Sequence, residues 1–149
     1  MDNFNRSNEG PPPSASWVIS RANGLQTIDN ECARWIQGAG DASSWNTQFG
    51  ADQECFATLN TTAQGTVLYC RLQTATNYQS DQYQITFIDD MTLQFWKRFS
   101  SAWTQLGADV SITYSDGDVW GIQVIGDTIT AFRNGSEVAY RVDSDVAGA

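Results

Sequence analysis

Two turn signals near the C-terminus constrain this sequence more than any other feature. Gly126-Asp127 and Asn134-Gly135 each separate two short runs that are rich in Val, Ile, Thr, Tyr and Phe. Both dipeptides tolerate the positive φ angles that two-residue primed turns require, and Asn-Gly is the strongest such signal. β-Branched and aromatic residues favour strands in the flanking runs. The stretch from Asp116 to Asp143 therefore predicts a meander of three antiparallel strands.

The rest of the chain repeats this pattern of short strands and turns. Runs of strand length recur about every 8–12 residues, and no helical period is sustained. Pro11 to Pro13 cannot sit in a central strand, so we expect residues 1–16 to form a short opening strand and a Pro-rich loop. A chain of 149 residues suits one domain. The prediction is an all-β fold, an antiparallel β-sandwich of the jelly-roll type, over residues 1–149.

The composition excludes several kinds of catalysis. The sequence contains no histidine, which rules out Ser-His-Asp and Cys-His nucleophilic catalysis and His-ligated zinc or iron. Lys97 is the only lysine, which leaves little room for Schiff-base chemistry. Any enzyme here would have to work through carboxylates or a tyrosine, and we predict that the protein is not an enzyme.

The net charge of −9 argues against two classes of partner. Nucleic acids and anionic membranes both demand a positive protein surface, so we expect neither. No apolar run approaches the roughly 18 residues that a membrane helix needs. The N-terminal residues show neither the basic start nor the apolar core of a secretory signal. We therefore expect a protein that is made and used inside a cell, or a piece of a longer protein.

Three cysteines, Cys32, Cys55 and Cys70, show no metal-binding spacing. Strand alternation points Cys70 inward together with Leu68 and Leu72. Because no secretion signal is visible, buried free thiols are the favoured state. One disulfide with one thiol left over is the alternative.

Four segments, taken in order, carry a resemblance to a known superfamily. They are residues 2–6 followed by Trp17, residues 65–73, residues 83–106, and the stretch from Gly117-Asp118 to Asp143. This succession resembles the concanavalin A-like, laminin-G-like jelly-roll superfamily. The resemblance implies a β-sandwich and fits a non-catalytic module, since this fold hosts lectins and structural modules as well as glycosidases.

The chain departs from that family at its C-terminus. Family members usually continue past the final Asp with a glycine-led closing strand, whereas this chain ends with residues 145–149. We therefore expect an incomplete edge at the C-terminus, which a partner strand could complete.

The resemblance also raises the question of a structural calcium ion. Many jelly-roll modules bind one through Asp side chains and backbone carbonyls. By chain position, Asp2, Asp29, Asp127 and Asp143 are the residues that such an ion would use. Asp is equally common in turns that hold no metal, so we expect no cofactor.

A glycosidase is disfavoured by the placement of the glutamates. Retaining glycosidases of this fold carry two glutamates in one strand, about 5–5.5 Å apart. Here Glu9, Glu31, Glu54 and Glu137 fall in four different segments. A carboxylate-dependent glycoside hydrolase or lyase is kept only as a remote alternative.

Strand alternation predicts one polar and aromatic face. If the strands within residues 67–73, 82–88, 92–98 and 119–125 neighbour one another in a single sheet, amides, two arginines, a tyrosine and a tryptophan share its outer side. These residues are Tyr69, Arg71, Gln73, Gln84, Gln94, Trp96, Arg98 and Gln123. Such a face is typical of glycan binding. It also suits a protein–protein contact or the ordinary wet side of an antiparallel sheet. Trp17, Trp35, Trp45 and Trp103 are assigned to core or loop packing.

Two hypotheses for function follow. The first is a structural, surface-exposed component of a phage virion, as a capsid decoration or tail-fibre module made in the host cytoplasm. Its partners would be other protein subunits, in a lattice or homo-oligomer, and also glycans. The second is a carbohydrate-binding, lectin-like module of a larger secreted or adhesive protein, located outside the cell.

The thiol prediction has a direct test. Because all three cysteines are expected to be free, denatured protein kept without reductant should titrate with three reactive thiols. Finding only one reactive thiol would show that a disulfide has formed.

Overall fold

The computed structural model describes residues 7–28, 31–34, 40–60 and 63–147. For residue 28 and residues 31–34 it describes the backbone only. Within these ranges the chain forms thirteen strands and no helix, and every strand pairing is antiparallel. The all-β prediction is confirmed. The opening strand expected in residues 2–6 lies outside the described residues.

Among the described residues, no helix has the length and apolar character needed to cross a membrane.

The chain contacts divide into two compact units. The first contains Met1–Gln48 and Thr74–Tyr78, and the second contains Phe49–Gln73 and Gln79–Ala149. The single domain expected over residues 1–149 stays a prediction, and the two units are described separately.

The first unit contains two small antiparallel pairs. Strand β1 (Trp17–Arg21) pairs with β4 (Ala42–Trp45), and β2 (Leu25–Ile28) pairs with β3 (Glu31–Arg34). Trp17 and Trp45 lie opposite each other with ring centroids 5.4 Å apart in an edge-to-face arrangement. These two tryptophans therefore pack against each other, which agrees with their assignment to core or loop packing, while Trp35 lies outside the described residues.

The second unit is a sandwich of two sheets. A five-stranded sheet has the order β10-β8-β7-β6, with β9 also pairing with β8, and a four-stranded sheet has the order β13-β12-β11-β5. The strands are β5 (Gln53–Leu59), β6 (Val67–Cys70), β7 (Gln82–Asp89), β8 (Thr92–Phe99), β9 (Ala102–Gln105), β10 (Val110–Ser111), β11 (Asp118–Ile125), β12 (Thr128–Arg133) and β13 (Ser136–Val142).

The predicted three-stranded meander is formed by β11, β12 and β13. Asn134 (φ 51°) and Gly135 (φ 79°) both have positive φ angles, as a type I′ turn requires. The Asn134 side chain adds two hydrogen bonds. Its Oδ1 accepts from the Val119 backbone N–H at 2.9 Å, and its Nδ2 donates to Asp118 Oδ1 at 2.8 Å. The turn is therefore held by its own side chain as well as by its backbone.

The core lies between the two sheets. Phe87 of β7 and Trp120 of β11 meet edge to face, with centroids 5.0 Å apart, and both are fully buried. The side chains predicted to face inward are buried with them: Leu68, Cys70, Tyr83, Ile85, Phe87, Leu93, Phe95, Trp120, Ile122 and Val124. Leu72 is the exception, because β6 ends at Cys70 and Leu72 beyond it is only half-buried.

Cys55 and Cys70 are free thiols. Burial raises the pKa of Cys55 to about 11 and also raises the pKa of Cys70. The Cys70 thiol donates to the Ile122 carbonyl oxygen at 3.7 Å. Both groups therefore stay protonated and unreactive near neutral pH. The side chain of Cys32 lies outside the described set.

Arg141 joins the two sheets at the β13 edge. Its guanidinium donates to the carbonyl oxygens of Leu106 and Ala108 at 2.7 and 2.8 Å and lies over the Phe95 ring. A Cβ at Gly107 (φ 76°) would lie 2.6 Å from Arg141 Nε, so a larger residue there would be strained and would displace the Arg141 side chain. In the described part of the chain, β13 pairs only with β12, which leaves its outer edge open. Strand addition by a partner stays a prediction.

The segment after β13 is nevertheless tightly fastened. Tyr83 donates its hydroxyl hydrogen to Asp143 Oδ1 at 2.7 Å and accepts from the Val146 N–H at 3.0 Å. Lys97 Nζ contacts the carboxylates of both Asp143 and Asp145. Val146 is almost completely buried. Residues 143–147 thus cover one end of the sandwich.

Asp143 makes this fastening sensitive to pH. Burial by itself would raise the pKa of Asp143, but hydrogen bonds from Lys97 and Tyr83 outweigh it and hold that pKa below its usual value. The stabilisation is therefore complete above the ordinary carboxyl pKa of about 4 and is lost as the pH falls through the lowered folded-state value.

We expect Asp143→Asn to lower the free energy of unfolding by about 2 kcal/mol at pH 7, because hydrogen bonds to charged groups contribute about 1.5–3 kcal/mol. The difference from wild type should shrink below about pH 4. Urea unfolding at pH 7 and at pH 3 measures both values. Asp127→Asn, at an exposed turn, is the matched control and should change little. An equal loss at both pH values would contradict the assignment.

Candidate functional site

The outer side of the five-stranded sheet gathers most of the predicted face. Strands β6, β7 and β8 are neighbours, as predicted, and their register places Tyr69 opposite Gln84 and Gln84 opposite Trp96. Strand β9 extends the row, because Gln105 lies opposite Trp96. Directly opposed residues point to the same side of a sheet. These four side chains therefore form one row across four strands.

A chain of hydrogen bonds holds the polar groups of this side in place. Trp96 Nε1 donates to Gln94 Oε1 at 3.0 Å, and Gln94 Nε2 donates to Asp109 Oδ1 at 2.8 Å. Gln105 Nε2 donates to the same carboxylate oxygen at 2.7 Å. The carboxylate of Asp109 thus fixes two amides and, through one of them, the indole ring of Trp96.

Gln84 is held in a different way. Its Nε2 donates to Thr86 Oγ1 at 2.9 Å, and only 6% of the residue is exposed. It therefore supports the neighbouring side chains more than it offers a surface of its own. Tyr69 and Trp96, on either side of it, are half-buried.

Arg98 and Trp103 form the next row along β8 and β9. They lie directly opposite each other, and the guanidinium carbon is 5.9 Å from the centre of the Trp103 ring. Trp103 is 38% exposed. The assignment of Trp103 to core or loop packing is therefore wrong, because the short strand β9 presents it on the outer side. We call the set Tyr69, Gln84, Gln94, Trp96, Arg98, Trp103 and Gln105 the tryptophan face.

The sequence analysis missed two members of this face, Trp103 and Gln105, and it also missed Asp109, which holds Gln94 and Gln105 in place. Alternation within residues 102–105 does place Trp103 and Gln105 on one side, so this signal was present. Nothing in the sequence shows that β9 pairs with β8 or that Asp109, in the loop after β9, reaches Gln94.

Arg71 was predicted to face outward and is instead buried. The chain turns at Arg71 (φ 55°) immediately after β6, and the residue is 4% exposed. Its guanidinium donates to the carbonyl oxygens of Ala51, Val146 and Gly126 at 2.7, 3.0 and 2.5 Å. Alternation fails here because the strand has already ended.

Gln73 also has a structural role. Its Nε2 donates to the carbonyl oxygens of Arg71 and Ala147, both at 2.9 Å. It lies outside any strand and holds the C-terminal segment against the loop that follows β6. The prediction that Gln73 belongs to an outer sheet face is wrong for the same reason as for Arg71.

Gln123 lies on the other sheet. Its strand, β11, is in the four-stranded sheet, where Gln123 Nε2 donates to Glu54 Oε2 at 3.1 Å. The expectation that all eight residues share one sheet face is therefore wrong. Alternation defines which side of its own strand a residue occupies, but it carries no information about which sheet the strand joins.

No group of three or more Cys, Asp or Glu side chains that could hold a metal ion occurs among the described residues. Of the four calcium positions considered, Asp143 is occupied by Tyr83 and Lys97. Asp127 lies exposed in the turn between β11 and β12. Asp2 and Asp29 lie outside the described residues.

Comparison with known proteins gives a likeness of fold. No protein-family model and no curated protein matches the sequence. The chain is similar to the solved structure of the carbohydrate binding module CBM66 from Bacillus subtilis, with a TM-score of 0.51 and 10% sequence identity over 90% of this chain and 83% of that chain. At this identity the likeness establishes the β-sandwich fold and leaves function to the residues of the site.

The two arginines of the predicted face should respond differently to the same substitution. We expect Arg71→Met to lower the free energy of unfolding by about 3 kcal/mol, because it removes the hydrogen bonds of a buried guanidinium to three backbone carbonyl groups. Arg98→Met should change it by about 1 kcal/mol or less, since Arg98 makes no such bond to the described residues. Thermal and urea unfolding measure both. Equal destabilisation by the two variants would contradict these roles.

Proposed function

We propose that this protein is a non-catalytic carbohydrate-binding module and that the glycan lies on the tryptophan face. One observation carries the proposal. Trp96 stands half-exposed in the middle of a polar row, and its indole N–H is tied to Gln94. An indole ring held in this way offers a flat apolar surface beside hydrogen-bonding groups. The face of a sugar ring has the same mixed character.

The amides beside Trp96 suit a ligand rich in hydroxyl groups. A sugar hydroxyl both donates and accepts, and a glutamine amide also offers one donor and one acceptor group. Gln94 and Gln105 are already fixed by Asp109. Binding to side chains that are ordered in advance loses less conformational entropy. The arrangement therefore favours a specific ligand contact over the alternative that this face is merely solvated.

The likeness to CBM66 supports the same proposal. That protein's title calls it a carbohydrate binding module, and the similarity extends over most of both chains. The virion role and the protein-subunit partners expected from the sequence remain predictions, and so does either location, on a virion or outside the cell. Neither the fold nor the comparison bears on them.

The test is a glycan array probed with purified protein and with Trp96→Ala. We expect selective binding that the substitution weakens at least about tenfold, equivalent to about 1.4 kcal/mol. Tyr140→Ala is the matched control. Tyr140 is an aromatic residue, 56% exposed, on the other sheet, and its loss should leave binding unchanged.

Two results would count against the proposal. If the array shows no binding while a cooperative unfolding transition shows that the protein is folded, the proposal of glycan binding is contradicted. Binding that Tyr140→Ala abolishes and Trp96→Ala leaves intact would move the site to the four-stranded sheet.

A further inference from the structure

Arg98 is a half-buried cation without an anionic or carbonyl partner in the described part of the chain. Its Nε is enclosed and has no hydrogen-bond partner there. Within the same residues the guanidinium contacts the Trp103 ring, with 5.9 Å between the guanidinium carbon and the ring centre. The residue lies on the tryptophan face, in the row next to Trp96.

The other buried or half-buried cations of the described residues all have oxygen partners. Arg71 donates to three carbonyl groups, Lys97 contacts Asp143 and Asp145, Arg133 donates to Asp118, and Arg141 donates to Leu106, Ala108 and Tyr140. Arg21 also stacks on a ring, that of Tyr78, but it is exposed and water can solvate it. Arg98 therefore departs from the pattern of its own chain.

This departure is notable in a protein with a net charge of −9. Carboxylates outnumber cations about two to one, and none of those described is placed within ion-pair distance of Arg98. Leaving a buried donor unsatisfied is destabilising, and more so for a charged group. A partly buried arginine without an oxygen partner calls for an explanation, and a ligand that binds its terminal Nη groups is one, since only Nε is enclosed.

We infer that the glycan carries a carboxylate and that Arg98 binds it, an inference that rests on the proposed carbohydrate-binding function. The planar guanidinium presents paired N–H groups that match the two oxygens of a carboxylate. Trp103, directly opposite, offers its exposed ring to the same sugar. A uronic acid or a sialic acid residue supplies this chemistry.

The charged residues at the two ends of the face also determine how the glycan is oriented on it. Asp109 accepts a hydrogen bond from Gln94. Gln94 precedes Arg98 by four residues on β8, so these two residues are about 13 Å apart along the strand. An acidic sugar is attracted to Arg98 and repelled by Asp109. The acidic residue of the glycan therefore lies at the Arg98 end, and neutral sugars extend over Trp96 toward Asp109. The overall negative charge disfavours a densely charged polyanion, so we expect few carboxylates per ligand.

The experiment compares ligand pairs that differ only or chiefly in the carboxylate. One pair is an otherwise neutral oligosaccharide that carries a single uronic acid residue and its methyl ester, and the other is sialyllactose and lactose. Titration calorimetry with the full chain measures the affinity for each. We expect the acidic member of one pair to bind at least about tenfold more tightly than its neutral partner, and the preferred pair identifies the class of acid. Added salt should reduce this preference.

Two variants localise the effect. Arg98→Met should bring the affinity for the acidic member down to that for the neutral member, and Arg98→Lys should restore part of the preference, because it keeps the charge without the planar fork. Arg21→Met, which removes an exposed arginine that also stacks on an aromatic ring, is the matched control and should leave the preference unchanged.

The outcomes separate this inference from the proposed function. Equal binding of acidic and neutral members by wild-type protein would overturn the carboxylate inference and leave the carbohydrate-binding proposal standing. An acid preference that persists in Arg98→Met would overturn the assignment to Arg98. Failure of the folded protein to bind any glycan, on the array or in titration, would overturn both. The wild-type comparison decides the matter even if a variant fails to fold.

Discussion

The contact between Phe87 and Trp120 at the centre of the sandwich is the interaction on which the other features depend. These two fully buried rings join the two sheets edge to face, and large aromatic side chains contribute heavily to the burial that stabilises a core. Because side chains alternate along a strand, burying Phe95 between the sheets forces Trp96 outward. The composition of the outer face is therefore a consequence of how the core is packed. A shift of one residue in register would exchange the two sides.

At the margins of the apolar core, cationic side chains hold the chain segments of the sandwich together. Arg71, Lys97 and Arg141 each reach backbone carbonyls or carboxylates from a different segment of the chain. Two of these contacts hold the C-terminal residues against the end of the sandwich, and the third joins the two sheets along one edge. A charge removed from water is tolerated when it is paired or hydrogen-bonded. Arg98 differs from these groups because its contact within the described chain is a ring.

The tryptophan face combines rigid and unsatisfied groups. Asp109 orders two amides and, through Gln94, the indole ring of Trp96. Such order is established before a ligand arrives, which reduces the entropy lost on binding. Arg98 and Trp103 at the other end present a guanidinium without an oxygen partner in the described residues and a partly exposed ring. A fold shared with a carbohydrate-binding module is compatible with many activities, so the argument for function depends on these particular side chains.

The sequence by itself determined the strand-rich character of the chain, the meander from Asp116 to Asp143 and the inward set of side chains. These features depend on local turn chemistry and on alternation with a period of two, which are written directly into the order of residues. The absence of histidine likewise excluded catalysis and metal sites that need an imidazole. Only the tertiary structure decided which strands are neighbours, and hence that Gln123 lies on one sheet and Trp96 on the other. It also showed that Arg71 turns inward and Gln73 leaves the sheet after β6 ends, that Trp103 and Gln105 join the face, and that Asp109 holds its amides. These positions depend on pairing between segments that are distant in the sequence. The local pattern of a strand does not show which other strand it pairs with.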